Sequence, residues 1–208
     1  MFEIEHVRGY FDERASQWDA VCSHDRYKLA AVVTLARVTP GARVLDIACG
    51  TGVLFDELLS RNPASVLGVD LSPNMIAQAQ QKHRDPRLQT LAADLFDVEE
   101  TGFDTAIIYS AYPHFPDKQR LAQKVRAMLA PGGRFLIAHS EGRQTINGRH
   151  GGSASPISTP LRPAREEAAA WEPFFQIDMV ADTPDLYFIP GTADKKKGAA
   201  GTSRRPLF

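Results

Sequence analysis

The chain has 208 residues, 43% hydrophobic and 24% charged, the length and composition of one globular domain with a sizeable core. A formal net charge of -1 withholds the basic excess that nucleic-acid and anionic-membrane binding domains carry, so a small, weakly charged partner is expected, with no nucleic acid and no membrane. No run approaches the roughly 20 apolar residues of a membrane span, and the polar amino end is unlike a signal peptide, which predicts a cytoplasmic protein.

Residues 1–39 read as amino-terminal helices. Arg43–Ile47 is a short β-branched strand, followed by a glycine turn and a helical stretch carrying Val53, Leu54, Leu58 and Leu59. Residues 65–69 form the next strand, and Ser72-Pro73 starts a helix, with Ser as N-cap and Pro at its first position. Leu88–Ala92 and Phe103–Tyr109 read as the third and fourth strands, the latter nearly all apolar and therefore buried on both faces. A helix over 117–129 is stopped by Pro131-Gly132-Gly133 before a fifth strand at 134–138. A helix over 166–175 precedes two strands, 177–181 and 185–189, whose turn at Thr183-Pro184 makes an antiparallel hairpin on the sheet edge.

Strands alternating with helices require right-handed crossovers. The predicted fold is α/β: a doubly wound, mostly parallel seven-stranded sheet with an antiparallel carboxyl-terminal hairpin, helices on both faces, in one domain over 1–190. Residues 141–165, rich in Gly, Ser, Pro and Arg, read as a long loop, either a functional lid or a disordered connector. Residues 191–208 read as a flexible basic tail. Cys22 and Cys49 have no paired spacing, so free thiols are expected.

The chemistry concentrates at Val44-Leu45-Asp46-Ile47-Ala48-Cys49-Gly50-Thr51-Gly52, a buried strand running into a turn where Gly50 and Gly52 can take positive φ. The third glycine of the dinucleotide pattern is missing, because Phe55 stands there and its ring obstructs a pyrophosphate cradle. Asp46 would repel a diphosphate and attract a cation. Asp70 ends the second strand, where it can accept both hydroxyls of a ribose, and Asp94 ends the third, beside apolar walls from Leu71, Met75 and Leu95.

The runs VLDIACGTG, GVDLSPNMI, AADLFDV, FDTAIIYSAYPHFPD and LAPGGRFLIAHS together resemble the successive motifs of class I, Rossmann-like methyltransferases that use S-adenosylmethionine (SAM), over roughly residues 40 to 140. The resemblance implies a methyl-transfer enzyme of the bacterial small-molecule kind. It implies that Asp46, Ala48, Gly50 and Gly52 frame the methionine part of the cofactor, Asp70 the ribose, and Asp94 the adenine, with Tyr109 also at the site. The segment from Gly9 to Asp19 resembles the helix that caps the cofactor in such enzymes, where Tyr10, Phe11 and Trp18 would shield the sulfonium; plain helix packing is the alternative.

Methyl transfer from a sulfonium needs alignment and exclusion of water, and a base chiefly for a hydroxyl acceptor. Candidates follow the fourth and fifth strands: Tyr112, His114 and His139. No fixed spacing links His114, His139 and His150, so no metal is expected. Tyr109-Ser110-Ala111-Tyr112 departs from the Asn-Pro-Pro-Tyr-like run of amide- and base-directed amino-methyltransferases. A small-molecule oxygen, sulfur or nitrogen acceptor is therefore expected; a non-catalytic SAM sensor and a nucleotide-dependent oxidoreductase stand as alternatives.

Overall fold

The computed structural model describes residues 3–151 and 155–194. Helices α1 (Ile4–Arg14), α2 (Trp18–Val21) and α3 (Arg26–Leu35) precede strand β1 (Arg43–Ile47). Then come α4 (Phe55–Ser60), β2 (Ser65–Asp70), α5 (Pro73–Lys82), β3 (Leu88–Ala92) and β4 (Phe103–Tyr109). The second half holds α6 (Lys118–Met128), β5 (Leu129–His139), α7 (Arg143–His150), α8 (Ala164–Ala168), β6 (Phe175–Ile177), β7 (Ala181–Asp182) and β8 (Tyr187–Ala193).

All strands join one sheet in the order β3-β2-β1-β4-β5-β8-β6, with β7 also against β8. The first five are parallel. β8 runs antiparallel to β5, pairing Ile137 with Ile189, and both β6 and β7 run antiparallel to β8. The architecture is the expected doubly wound α/β sheet with an antiparallel carboxyl-terminal part, but among the described residues it has eight strands where seven were expected. The outer arm of the hairpin is broken between Ile177 and Ala181 into β6 and β7, so one predicted strand becomes two.

Alternate residues of each strand feed two apolar layers, as a period of two requires. Leu45 and Ile47 of β1 and Phe135 and Ile137 of β5 join the layer containing Leu121, Val125 and Trp171. Val44, Leu136 and Ala138 face the opposite layer with Val32, Phe55 and Ile76.

The element boundaries follow local chemistry. Ser72 caps α5, its hydroxyl accepting from the Met75 N–H at 3.0 Å, with Pro73 at the first helical position. Asp25 and Asp117 cap α3 and α6 in the same way. Helix α6 ends at Met128, and β5 starts at Leu129 rather than at the expected 134, so Pro131-Gly132-Gly133 lies inside the strand as a bulge, where the register with β4 shifts between Phe103 and Thr105.

Three further expectations are corrected. The 141–165 segment carries α7, anchored by buried Ile146 and by Asn147, which exchanges hydrogen bonds with Leu161 N–H and C=O at 2.8 and 2.9 Å. The helix expected over 166–175 ends at Ala168 and gives way to turns before β6. Residues 191–193, expected in the tail, complete β8; residues 195–208 lie outside the described residues. Cys22 and Cys49 are free thiols. Among the described residues no helix is long and apolar enough to cross a membrane.

Candidate active site

β1 and β4 are neighbours from which successive strands are laid down in opposite directions, and open α/β sheets bind ligands at the carboxyl ends of such a pair. A cavity of about 800 Å³ opens there, in the upper range for small-molecule sites. The chain leaves both strands through left-handed backbone: Ala48 follows β1 with φ 54° and Ser110 follows β4 with φ 54°. For residues with a Cβ this costs about 1–2 kcal/mol each, and such strain gathers at functional sites.

Ala48, Cys49, Gly50 and Thr51 line the floor. Gly50 has φ 56°, and a Cβ there would meet no atom within 4 Å, so its requirement is conformational and the space above it is open. Gly52 differs: a Cβ would lie 2.4 Å from the Phe55 ring, and Gly52 does not line the cavity. Fully buried Phe55 wedges between Gly52 and Gly68 and fills the place where a dinucleotide site needs a third glycine.

Three acids stand at the strand ends. Asp70 lines the cavity and is held by two backbone donors, Gly50 N–H to Oδ2 at 2.8 Å and Ser72 N–H to Oδ1 at 2.9 Å. Burial raises its pKa above the ordinary carboxylate value, against the pull of those two bonds. Asp46 lies beneath the floor, 2% exposed, and its Oδ2 has no hydrogen-bond partner among the described residues. Burial, and then the Asp70 charge, push its pKa up to about 8. A buried carboxyl oxygen left without a donor is uncommon and marks a place for a partner. Asp94 accepts from Phe96 N–H at 3.0 Å and lines the cavity beside Leu71, Met75 and Leu95.

The amino-terminal helices form the cover. Val7, Phe11 and Trp18 line the cavity from above, with the Phe11 ring edge-on to Trp18 at 5.5 Å. Tyr10 packs beside them against Phe11 and under the Arg14 guanidinium, and does not itself line the cavity. Two aspartates fasten the cover. Asp12 accepts from Ser72 Oγ at 2.5 Å and Asn74 N–H at 3.2 Å; Asp19 accepts from Thr51 Oγ1 at 2.6 Å and Lys82 Nζ at 2.7 Å.

The remaining wall carries Tyr109, whose hydroxyl donates to Ser140 Oγ at 2.9 Å and meets His24 Nδ1 at 3.1 Å. His114 also lines the cavity, its Nδ1 3.0 Å from the Ile157 carbonyl and its ring edge-on to Phe11. Tyr112 and His139, expected beside it, do not line the cavity. Tyr112 is fully buried, donating to Glu167 at 3.2 Å and accepting from Trp171 Nε1 at 3.1 Å. Its phenol is raised by burial and by Glu167. His139 is 2% exposed and lies edge-on to Tyr187. Strand parity explains it: as the last residue of β5, His139 shares the face of Phe135 and Ile137. Among the described residues no group of three or more metal-ligating side chains gathers.

His24, Asp12 and Asp19 carry no motif spacing and were missed in the sequence. The one local signal is that Ser23-His24-Asp25 interrupts the apolar pattern just before the Asp25 cap, which marks a turn and says nothing about what the turn faces.

Residues 44–133 match a family model described as a methyltransferase domain. Over 104 residues the chain is 34% identical to a ubiquinone biosynthesis O-methyltransferase of Xylella fastidiosa, a match covering 47% of this chain and 42% of that protein. It is 29% identical over 145 residues to a demethylmenaquinone methyltransferase of Oceanobacillus iheyensis, covering 64% and 60%. The chain thus spans under two thirds of the length of these relatives. The crystal structure of the N-methyltransferase NodS from Bradyrhizobium japonicum, in complex with S-adenosyl-L-homocysteine, superposes with a TM-score of 0.70 at 15% identity, covering 90% of this chain and 98% of that one. Residues 44–133 are thus similar to a methyltransferase domain, and the fold over nearly the whole chain is similar to that of NodS.

Proposed function

We propose that the protein transfers a methyl group from SAM to an oxygen, sulfur or nitrogen of a small molecule held under the α1–α2 cover. The observation that carries this reading is the buried Asp46 Oδ2 beneath the glycine turn, without a hydrogen-bond partner among the described residues, a site suited to a cationic ligand and hostile to a pyrophosphate. Asp46 and the Ala48–Gly50 backbone would hold the methionine end. Each Asp70 oxygen keeps a second lone pair for a ribose hydroxyl beyond its backbone donor, and Asp94 can accept from adenine. Leu71, Met75 and Leu95 supply the apolar walls, and Tyr109 closes the end beside β5. When bound, the cofactor supplies a methyl on a leaving group that is already activated. The chain's work is to orient the acceptor in line and to keep water out, for which Phe11 and Trp18 are placed. Gly52 and Tyr10 act through Phe55 and Phe11, and Tyr112 and His139 act in packing; His114 is an acceptor contact.

The partly covered cavity and the relatives named for ubiquinone biosynthesis and demethylmenaquinone support a small acceptor over a nucleic acid. Calorimetry tests the reading. The wild type is expected to bind SAM and not NAD, and Asp70→Ala or the near-isosteric Asp46→Asn to weaken SAM at least about tenfold, the equivalent of one charge-assisted hydrogen bond. Unchanged affinity in both variants would count against it. Incubation of labelled SAM with cell extract separates an enzyme from a sensor, which would label no metabolite.

A further inference from the structure

His24 stands in the turn between α2 and α3, lines the cavity, and is fastened to the carboxyl ends of β4 and β5 through Tyr109 and Ser140. The Tyr109–Ser140 hydrogen bond favours one tautomer of its ring. Tyr109 has one hydroxyl hydrogen, which is directed to Ser140 Oγ at 2.9 Å. Towards His24 the phenol oxygen therefore offers a lone pair, and Nδ1, 3.1 Å away, is the donor. A neutral imidazole with its hydrogen on Nδ1 has Nε2 as its basic nitrogen. Burial holds the Tyr109 phenol above its ordinary pKa, so it remains a hydroxyl.

From this geometry we infer that His24 is the general base of the reaction, acting on a hydroxyl acceptor, with Tyr109 and Ser140 as its positioning residues; this rests on the methyl-transfer reading above. The acceptor oxygen attacks the methyl carbon. The O–C bond forms as the C–S bond breaks with its electron pair going to sulfur, and the hydroxyl proton passes to His24 Nε2 and then to solvent. His114 has a similar hydrogen bond, to the Ile157 carbonyl, but it leans on Phe11 of the cover. His24 leans on the sheet through Tyr109 and Ser140, and a base must be held to within a fraction of an ångström.

The surroundings keep the ring neutral near pH 7. Burial lowers the His24 pKa below 6.5; Asp19 and Glu141 oppose this, and Arg149 and Lys82 reinforce it. From α3, Lys28 donates to the carbonyl of Ser140 at 2.7 Å, which also fixes the far end of the chain of hydroxyls.

Two measurements test the role. In protein labelled with ¹⁵N in its histidine rings, with the His24 signals assigned by their loss in His24→Gln, the free wild type should show the Nδ1–H form near neutral pH, and Tyr109→Phe should move it towards Nε2–H. Wild-type His24 in the Nε2–H form overturns the role. With labelled SAM and the small-molecule fraction of a cell extract, His24→Gln should lose about a hundredfold or more of product formation and the acid limb of the pH profile, while S-adenosylhomocysteine affinity by calorimetry stays within about twofold. Retained product formation, or affinity lost in step with it, overturns the role, the second making His24 a cofactor contact. Wild type that binds no S-adenosylhomocysteine overturns the proposed function and the base with it, whereas the Nε2–H form in protein that does bind it removes the base alone.

Discussion

Asp46 shows how one residue couples stability to ligand binding. Its folded pKa of about 8 stands above the roughly 3.9 of an unfolded aspartate, so the folded chain holds a proton that the unfolded chain releases over this interval. Stability contributed at this position is therefore greatest below pH 4 and falls as pH rises towards 8. Asp46→Asn should melt above the wild type by a margin that widens from about pH 5 to pH 8, a dependence thermal denaturation would follow. Ligand binding has the opposite sign. A cation stabilises the carboxylate, so SAM binding should expel a proton near neutral pH and tighten as pH rises to about 8, seen as a binding enthalpy that varies with the ionisation enthalpy of the buffer. At this scale the placing of Gly50, Asp70 and Asp94 about the cavity was legible because their spacing reflects where each strand ends. His139 was not, because which face a strand's last residue takes depends on register, and Tyr112 was not, because its partners Glu167 and Trp171 lie more than 50 residues away in sequence.

The cover belongs to the scale of elements. α1 places only Val7 among the buried residues, so its docking leans on polar contacts, chiefly Asp12 with Ser72 and Asn74. Removing them should loosen the cover without unfolding the sheet. Asp12→Ala is expected to speed trypsin cleavage at Arg8 or Arg14 and to cost about 1 kcal/mol or less in urea denaturation, whereas Ser72→Ala also removes the α5 cap and should cost about 1 kcal/mol more. Helix α5 was plain in the sequence because cap, proline and apolar face agree. Helix α7 was hidden because its sequence, RQTINGRH, has a single apolar anchor, and its fixing contacts come from Leu161, beyond any local pattern.

Over the whole molecule, the layer beneath the hairpin is centred on Trp171, fully buried and stacked on Phe135 at 4.2 Å, with Phe175 at 5.6 Å. Trp171→Ala should destabilise the fold by about 3–5 kcal/mol in urea denaturation, since it leaves a cavity and strips Tyr112 of a donor. The five parallel strands were readable as continuous apolar runs between turn signals. The break between β6 and β7 was not, because it follows Asp178, whose N–H donates to the Pro190 carbonyl at 3.2 Å while the proline has no N–H to return.

The insertion of β8 between β5 and β6 has a consequence for biosynthesis. Among the described residues β8 is the last strand made, and it closes the flank of five parallel strands that emerge much earlier, so during translation β5 presents a bare, apolar ladder of amides and carbonyls. At about 5–20 residues per second that interval lasts some seconds, long enough for a chaperone, or another nascent chain, to occupy the place that residues 187–193 later take.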